Sequence, residues 1–197
     1  KLVKNVTDAY EAYDLNQVVK QVTSFVSDDL SNWYIRRNRN RFWSSELDNS
    51  KKAVYITTYE VLTGLCKLCA PIIPYVTEEL YKNLTGEKSV HLSDFPKYDE
   101  SLINEEIEVK MDLVRDLIST GRFVREETKI KVRQPISEAL IDGKYENILG
   151  DLVSLINEEL NVKKVTFVDD LSKYMNFTIK PNFKVCGSMF GPKMGLY

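Results

Sequence analysis

The stretch "VYITTYEVLTGLCKL", Val54 to Leu68, repeats its inward-type positions at Val54, Thr58, Val61, Leu65 and Leu68. Steps of four, three, four and three put these residues on one side of an α-helix, whereas a strand would alternate at two. A helix with such a stripe needs a partner. Upstream, Leu15, Val18, Val22 and Phe25 recur at three and four, which predicts a second long helix whose apolar face meets the first. Between the two, "ELDNSKK" supplies turn and N-cap chemistry at Asp48 to Ser50. Downstream, Pro71 and Pro74 end the pattern. Pro74 suits the first turn of a new helix carrying Val76, Leu80 and Leu84, and Gly86 suits its end. The segment "EKSVHLSDFPKYDE" reads as a connector to another long helix through Ile103, Ile107, Met111, Val114 and Ile118. By Glu127 there are at least four helices with short links, which describes a helical bundle.

Beyond it the period changes. "ISEALI" (136–141) and "KKVTFV" (163–168) read as strands, and "ENILGDLVSLINEEL" between them as a helix with Leu149, Leu152, Val153, Ile156 and Leu160 on one face. In "YMNFTIK", Met175, Phe177 and Ile179 alternate with polar residues, as in a half-buried strand. The result is a β-α-β-β unit, in which a right-handed crossover makes the first two strands parallel if they are neighbours and "DDLSK" turns the last pair into a hairpin. The fold class expected is therefore mainly α: a bundle over residues 1–127, then a small α/β extension over 128–197 that reads as incomplete. The chain opens on Lys1 without a methionine, and it reads as a piece of something longer.

The 197 residues are 43% hydrophobic and carry a formal net charge of −2. That balance argues against a generally basic, sequence-blind nucleic-acid binder, so any polyanion must be held by local patches. The most apolar run, "VLTGLCKLCAPIIPYV", is broken by Lys67, Pro71 and Pro74, well short of the roughly 20 apolar residues that a membrane helix needs. No signal peptide is recognisable, and a cytoplasmic location is the default. Three cysteines form no even framework of pairs, which fits a reducing compartment. Cys66 and Cys69 make a CxxC, but Leu65, Leu68 and Ala70 around them mark a buried helical stripe rather than a metal site. The single histidine, His91, sits in the connector, away from any paired nucleophile motif. Neither GxxxxGK[ST] nor GxGxxG occurs, and the late glycines Gly187, Gly191 and Gly195 precede no recognisable helix. Acidic pairs such as Glu78-Glu79 and Glu105-Glu106 stand at early helical turns, where they complement the macrodipole. No catalytic centre and no metal site is expected.

One stretch remains unexplained by packing. "DLSNWYIRRNRNRFWSS", Asp29 to Ser45, holds four arginines and two tryptophans between Trp33 and Trp43. At about 100° per residue, Asn32, Arg36, Arg39, Asn40 and Trp43 share one side, while Tyr34, Ile35 and Phe42 point to the other. Leu30, Tyr34, Ile35 and Phe42 can join the core, leaving a strip of arginine donors with Trp33 at its edge and Trp43 at its C-terminal end. Such a strip suits RNA, because guanidinium forks pair with phosphates and indole faces stack on unpaired bases. The plainer alternative is a solvated arginine face whose tryptophans cap the bundle. A second basic cluster, Lys129, Lys131 and Arg133, lies at the bundle boundary, and from Leu171 to Tyr197 there are four lysines and no acidic residue.

Six blocks in this order, "DLSNWYIRRNRNRFW", "YEVLTGLCKLCAPIIPYVTEELYKNL", "SVHLSDFP", "GRFVREETKIKVRQPI", "EELNVKKVTFVDD" and "KPNFKVCGSMFGPKMG", resemble the C-terminal part of the isoleucyl-tRNA synthetases, in the eukaryote-like branch. The resemblance covers nearly the whole chain. It implies a helical anticodon-binding domain of the class I type over about Lys1 to Glu127, followed by part of an extension that also approaches tRNA. It implies a parent enzyme that activates isoleucine with ATP and Mg and esterifies it to tRNA, with that chemistry elsewhere in the parent. The signatures His-Ile-Gly-His and Lys-Met-Ser-Lys-Ser are missing here, so the piece itself is expected to be non-catalytic and to need no cofactor. "GSMFGPKMG" departs from the branch's usual Gly-Pro-Lys-Phe-Gly-Lys.

On this resemblance the expected tRNA contacts are Asn32, Trp33, Arg36, Arg37, Arg39, Arg41, Trp43, Lys129, Lys131 and Arg133. The expected partners are the anticodon stem-loop of isoleucine tRNA and the catalytic domain of the same parent chain, in a monomer without membrane contact. The rival expectation is a protein-interaction or interdomain module in which Trp33 and Arg37 anchor a partner.

Overall fold

The computed structural model of the chain describes residues 1–174. The strand expected over Met175, Phe177 and Ile179, the cationic tail beyond Lys173, Cys186 and the late glycines lie outside the described residues. Contacts divide the chain into two compact units, Lys1–Ile103 and a second that starts at Asn104.

The first unit is helical. It comprises α1 (Leu2–Glu11), α2 (Leu15–Ser24), a π-helical continuation (Phe25–Ile35), the short α3 (Arg39–Trp43), α4 (Asn49–Cys69) and α5 (Pro74–Thr85). Helix α1 is an element that the periodicity reading passed over, although Leu2, Val6 and Ala9 already repeat at four and three. It packs with α2 and α4: Val6, Ala9, Val18 and Leu68 form one buried cluster, with Tyr10, Val22 and Ile72 against it. The Tyr10 hydroxyl donates to the Leu68 carbonyl at 3.1 Å, and burial, with Cys69 nearby, pushes its pKa up to about 12. A second cluster joins α4 to α5 through Cys66, Ala70, Tyr81 and Val90. Cys66 and Cys69 are free thiols buried in this region, and burial raises both their pKa values.

Local signals account for the ends of these helices. The Asp48 carboxylate accepts the Lys51 N–H at 2.6 Å and starts α4. Pro74 stands in the first turn of α5, and Gly86 closes it in the left-handed region at φ 74°. Just beyond, the Glu78 carboxylate accepts the Ser89 hydroxyl and the Val90 N–H, both at 2.9 Å, and pairs with Lys82 at 2.7 Å. These contacts fold the connector back onto α5. His91 lies exposed on the resulting 3-10 turn, its N–H donating to the Ser89 hydroxyl.

The second unit contains α6 (Glu105–Glu127), β1 (Ile136–Asp142), α7 (Glu146–Leu149), α8 (Val153–Leu160) and β2 (Val162–Val168). Contacts therefore group α6 with the α/β extension, whereas the sequence division after Glu127 counted it with the bundle. The reason is local: α6 packs against α7 and α8, so closely that a Cβ on Gly121 would collide with the Leu160 side chain. The strands pair in parallel, with Ile136 opposite Val162 and Ile141 opposite Phe167, as a β-α-β crossover requires. The single helix expected over 146–160 is interrupted. Gly150 takes φ 47°, and a 3-10 turn over Gly150–Leu152 separates α7 from α8. Leu149, Ile156 and Leu160 are nonetheless all buried.

The Glu78 hook generates a pH prediction. Its carboxyl is held down from the ordinary 4.5 to about 2, first by the Lys82 hydrogen bond, then by the Val90 N–H and the Ser89 hydroxyl. A depressed folded-state pKa gives stability that is complete above the unfolded value and is lost as pH falls toward the folded one. Glu78→Gln should therefore lower stability at pH 7, and the gap from the unsubstituted chain should close between pH 4.5 and about 2. Denaturant titrations of both chains across that range measure it, and a gap that does not change with pH contradicts it.

Candidate nucleic-acid interface

The arginine-rich stretch begins inside the π-helical segment, where backbone bonds run from i+5 to i. The Arg36 N–H, for example, reaches the Ser31 carbonyl. That winding holds more residues per turn than an α-helix, so the faces expected at about 100° per residue need not persist along it. Asn32, Arg36, Arg39, Asn40 and Trp43 are all exposed, Leu30 is buried, and Tyr34, Ile35 and Phe42 are half-buried. The division between polar and buried faces thus survives the change in winding. One contribution comes from Asn38, whose side-chain amide donates to the Tyr34 carbonyl at 2.8 Å and bridges the break between the π-segment and α3.

The four arginines do different things. Arg36 lies along the surface with its Nε donating to the Asn32 carbonyl at 2.8 Å. Arg37 is half-buried, its guanidinium 5.0 Å from the ring centre of Trp33, within range of a cation–π contact. Trp33 is itself half-buried, with the Arg37 guanidinium over its ring. Arg39 is exposed on α3. Arg41 is spent on the protein: its Nε and Nη2 donate to the Ser50 hydroxyl and carbonyl, each at 2.8 Å, and its Nη1 donates to the Asn38 side chain at 2.7 Å. Two of these charge-assisted bonds fasten α3 to the start of α4, and the third ties it to Asn38 at its own N-terminus. Lys51 adds a bond to the Ser44 carbonyl at 2.6 Å, and Phe42 meets Tyr55 edge-on at 5.3 Å.

Trp43 stands apart from this framework, with 81% of its surface exposed at the end of α3. A tryptophan left in water costs hydrophobic free energy that burial would recover, about 25 cal/mol per Å² of apolar surface. Its indole face is open to a planar ligand, and the exposed guanidinium of Arg39 lies one helical turn before it. The arrangement offers cation donors and a stacking surface on a support braced by Arg41, which is what single-stranded loops and phosphates can use.

The second basic cluster belongs to the second unit. Lys129, Lys131 and Arg133 are all exposed on the turn that leads from α6 to β1. Lys129 takes the left-handed conformation at φ 59°, just after the helix ends, and the Ile130 N–H reaches back to the Arg125 carbonyl at 2.8 Å. This is a helix C-terminal motif that commonly uses glycine. A lysine there accepts the backbone strain that glycine would avoid. Arg125, which sequence reasoning did not single out, lies beneath this turn and is only 3% exposed. Its place in "GRFVREETKIKVRQ" looks like any other helical cation, and only the folded turn distinguishes it.

Among the described residues no cluster of histidine, cysteine, aspartate and glutamate could hold a metal ion, and no helix is long and apolar enough to cross a membrane. The sequence has relatives among known proteins. Isoleucine–tRNA ligases from Clostridium novyi and Clostridium acetobutylicum are each 45% identical to it, over 96% of the chain and 19% of their own lengths. The enzyme of the same name from Treponema denticola is 40% identical over 98% of the chain and 18% of its length. The chain thus spans about a fifth of the length of these curated relatives. Residues 1–140, from α1 into β1 and including both basic clusters, match a single domain family. That family is the anticodon-binding domain of tRNA ligases, and this chain belongs to it.

Proposed function

We propose that this chain is the anticodon-recognising part of an isoleucine–tRNA ligase and binds the anticodon stem-loop of isoleucine tRNA. The observation that carries the reading is the exposed strip of Asn32, Arg36, Arg39, Asn40 and Trp43 on a braced helix, within a domain family that serves tRNA ligases. Arg36 and Arg39 hold loop phosphates, and Trp43 stacks on an unpaired base. Lys129, Lys131 and Arg133 contact the RNA backbone from the second unit. Trp33 and Arg37 cover one another, so they contribute shape to the strip more than free stacking surface. Arg41 supports it from within.

The parent protein activates isoleucine with ATP and Mg and transfers it to tRNA in the cytoplasm. The isoleucine–tRNA ligases among its relatives support this. The catalytic domain of the same polypeptide is then the second partner, and the piece itself carries no catalytic step. The alternative, a protein-binding module anchored on Trp33 and Arg37, draws on the same contact between those two residues. Salt separates the two readings, because phosphate binding releases counterions and an aromatic-centred protein interface does not.

Two predictions follow from the division of labour along this helix. Arg36→Ala and Arg39→Ala should each lower the slope of log affinity against log salt by about one, and should weaken matched and anticodon-changed tRNAs alike. Electrophoretic titration at several salt concentrations reads this, and unchanged slopes return the strip to an ordinary solvated face. Trp43→Ala should cost about 1 to 3 kcal/mol of RNA binding. Because Trp43 is 81% exposed, the same change should shift folding stability by no more than about 0.5 kcal/mol. A marked loss of melting temperature with unaltered RNA affinity would show Trp43 to be a packing residue.

A further inference from the structure

The turn that presents Lys129, Lys131 and Arg133 is short and polar, and it is organised from below by one side chain. The guanidinium of Arg125 donates through Nη1 to the Leu160 carbonyl at 3.2 Å. Through Nη2 it reaches the Lys131 carbonyl at 2.5 Å, the Val132 carbonyl at 3.3 Å and the Gln134 carbonyl. A second donor, the Asn161 side-chain amide, meets the Val132 carbonyl at 3.1 Å, and the Gln134 N–H closes onto the Lys131 carbonyl at 2.9 Å. The backbone of the turn is thus gathered inward, carbonyls first. The side chains of Lys129, Lys131 and Arg133 remain exposed, and Lys129 is held in the left-handed conformation. Next to the turn lies a groove of about 480 Å³ lined by Arg122, Arg125, Lys129 and Lys131, together with Glu126 and two apolar residues of the same segment.

From this geometry we propose that Arg125 is a positioning residue for polyanion binding: it does not touch the RNA, but fixes the turn that offers three cations to consecutive backbone phosphates. The inference rests on the reading of that cluster given under Proposed function. Its physical content is that a guanidinium fork, with donors spread in a plane, is one of the few side chains able to satisfy carbonyls from two directions at once. Removing it takes a donor from all four carbonyls: those of Lys131 and Val132 keep the Gln134 N–H and the Asn161 amide, whereas those of Leu160 and Gln134 lose the guanidinium bond. The turn then relaxes, and three cations lose their common register. Preorganisation of this kind lowers the ordering cost of binding.

The test uses the full chain and an anticodon stem-loop RNA, with binding measured over a range of salt and thermal unfolding measured in parallel. Arg125→Met keeps much of the stem and removes every donor, and Arg125→Lys keeps the charge without the fork. Lys129→Ala/Lys131→Ala/Arg133→Ala removes the displayed cations. The triple variant should lower the salt slope by about two to three. Arg125→Met should lower it by nearly as much although only one cation, 3% exposed, is removed; Arg125→Lys should fall between. Adding Arg125→Met to the triple variant should bring no further reduction. A folded Arg125→Met chain with the original slope overturns the positioning role, and so does failure of both Arg125 variants to fold, which would make Arg125 a core residue. An unchanged slope in the triple variant removes the RNA reading of the cluster, and the proposal with it. A lowered slope in the triple variant beside an unchanged one in Arg125→Met overturns the positioning role alone.

Discussion

Helix α4 has to be buried on opposite sides at its C-terminal end, and the first unit is organised around that constraint. Leu68 belongs to the cluster with α1 and α2, whereas Cys66, two residues earlier, belongs to the cluster with α5 and the 3-10 turn. Two residues are about 200° apart on an α-helix, so no single apolar stripe can serve both. The sequence meets the demand with small side chains: Cys66, Cys69 and Ala70 are all buried and let neighbouring elements come close. The CxxC spacing is a by-product of this packing. Raised thiol pKa values at both positions follow from the same burial, since the thiolate would have to give up water.

The other end of α4 carries the candidate interface. A five-residue helix such as α3 cannot stabilise itself, because nucleation fixes several residues before enough bonds repay the entropy. It persists because Arg41 spends three donors on Asn38 and Ser50, and because Phe42 packs on Tyr55. One rigid helix therefore joins a doubly buried core to an exposed arginine and tryptophan surface. The strip can stay wet and charged only because its anchor is on the far side.

The sequence makes some of this legible and hides the rest for definite reasons. The stripe from Val54 to Leu68, the stop at Gly86 and the parallel pairing of Ile136–Asp142 with Val162–Val168 all follow from period and turn chemistry. Helix α1 is short and only Val6 and Ala9 of it are fully buried, with Leu2, Val3 and Tyr10 partly so, which makes its repeat of four and three easy to miss among polar neighbours. The π-helical winding of Phe25–Ile35 leaves no mark in residue type, since it is a choice of hydrogen-bond partner and not of side chain. Gly150 was visible within the expected helix of 146–160, but its positive φ belongs to the fold. Composition could not tell Arg39 from Arg41. What separates them is the position of Ser50, and that is tertiary information.

Arg125 carries the same lesson into electrostatics. A cation buried beneath exposed Lys129, Lys131 and Arg133 raises the energy of the free state through like-charge repulsion, and its desolvation adds to that. Four backbone carbonyls offset the cost by turning their negative ends toward it. Because a peptide dipole has two ends, the arrangement that neutralises the buried charge also commits the direction of the chain around it, and so the direction of the side chains it displays. The repulsion that remains is confined to groups in reach of solvent, where an arriving polyanion can relieve it. A buried arginine that would be a poor investment for stability alone is thus well suited to holding a charged surface ready for its partner.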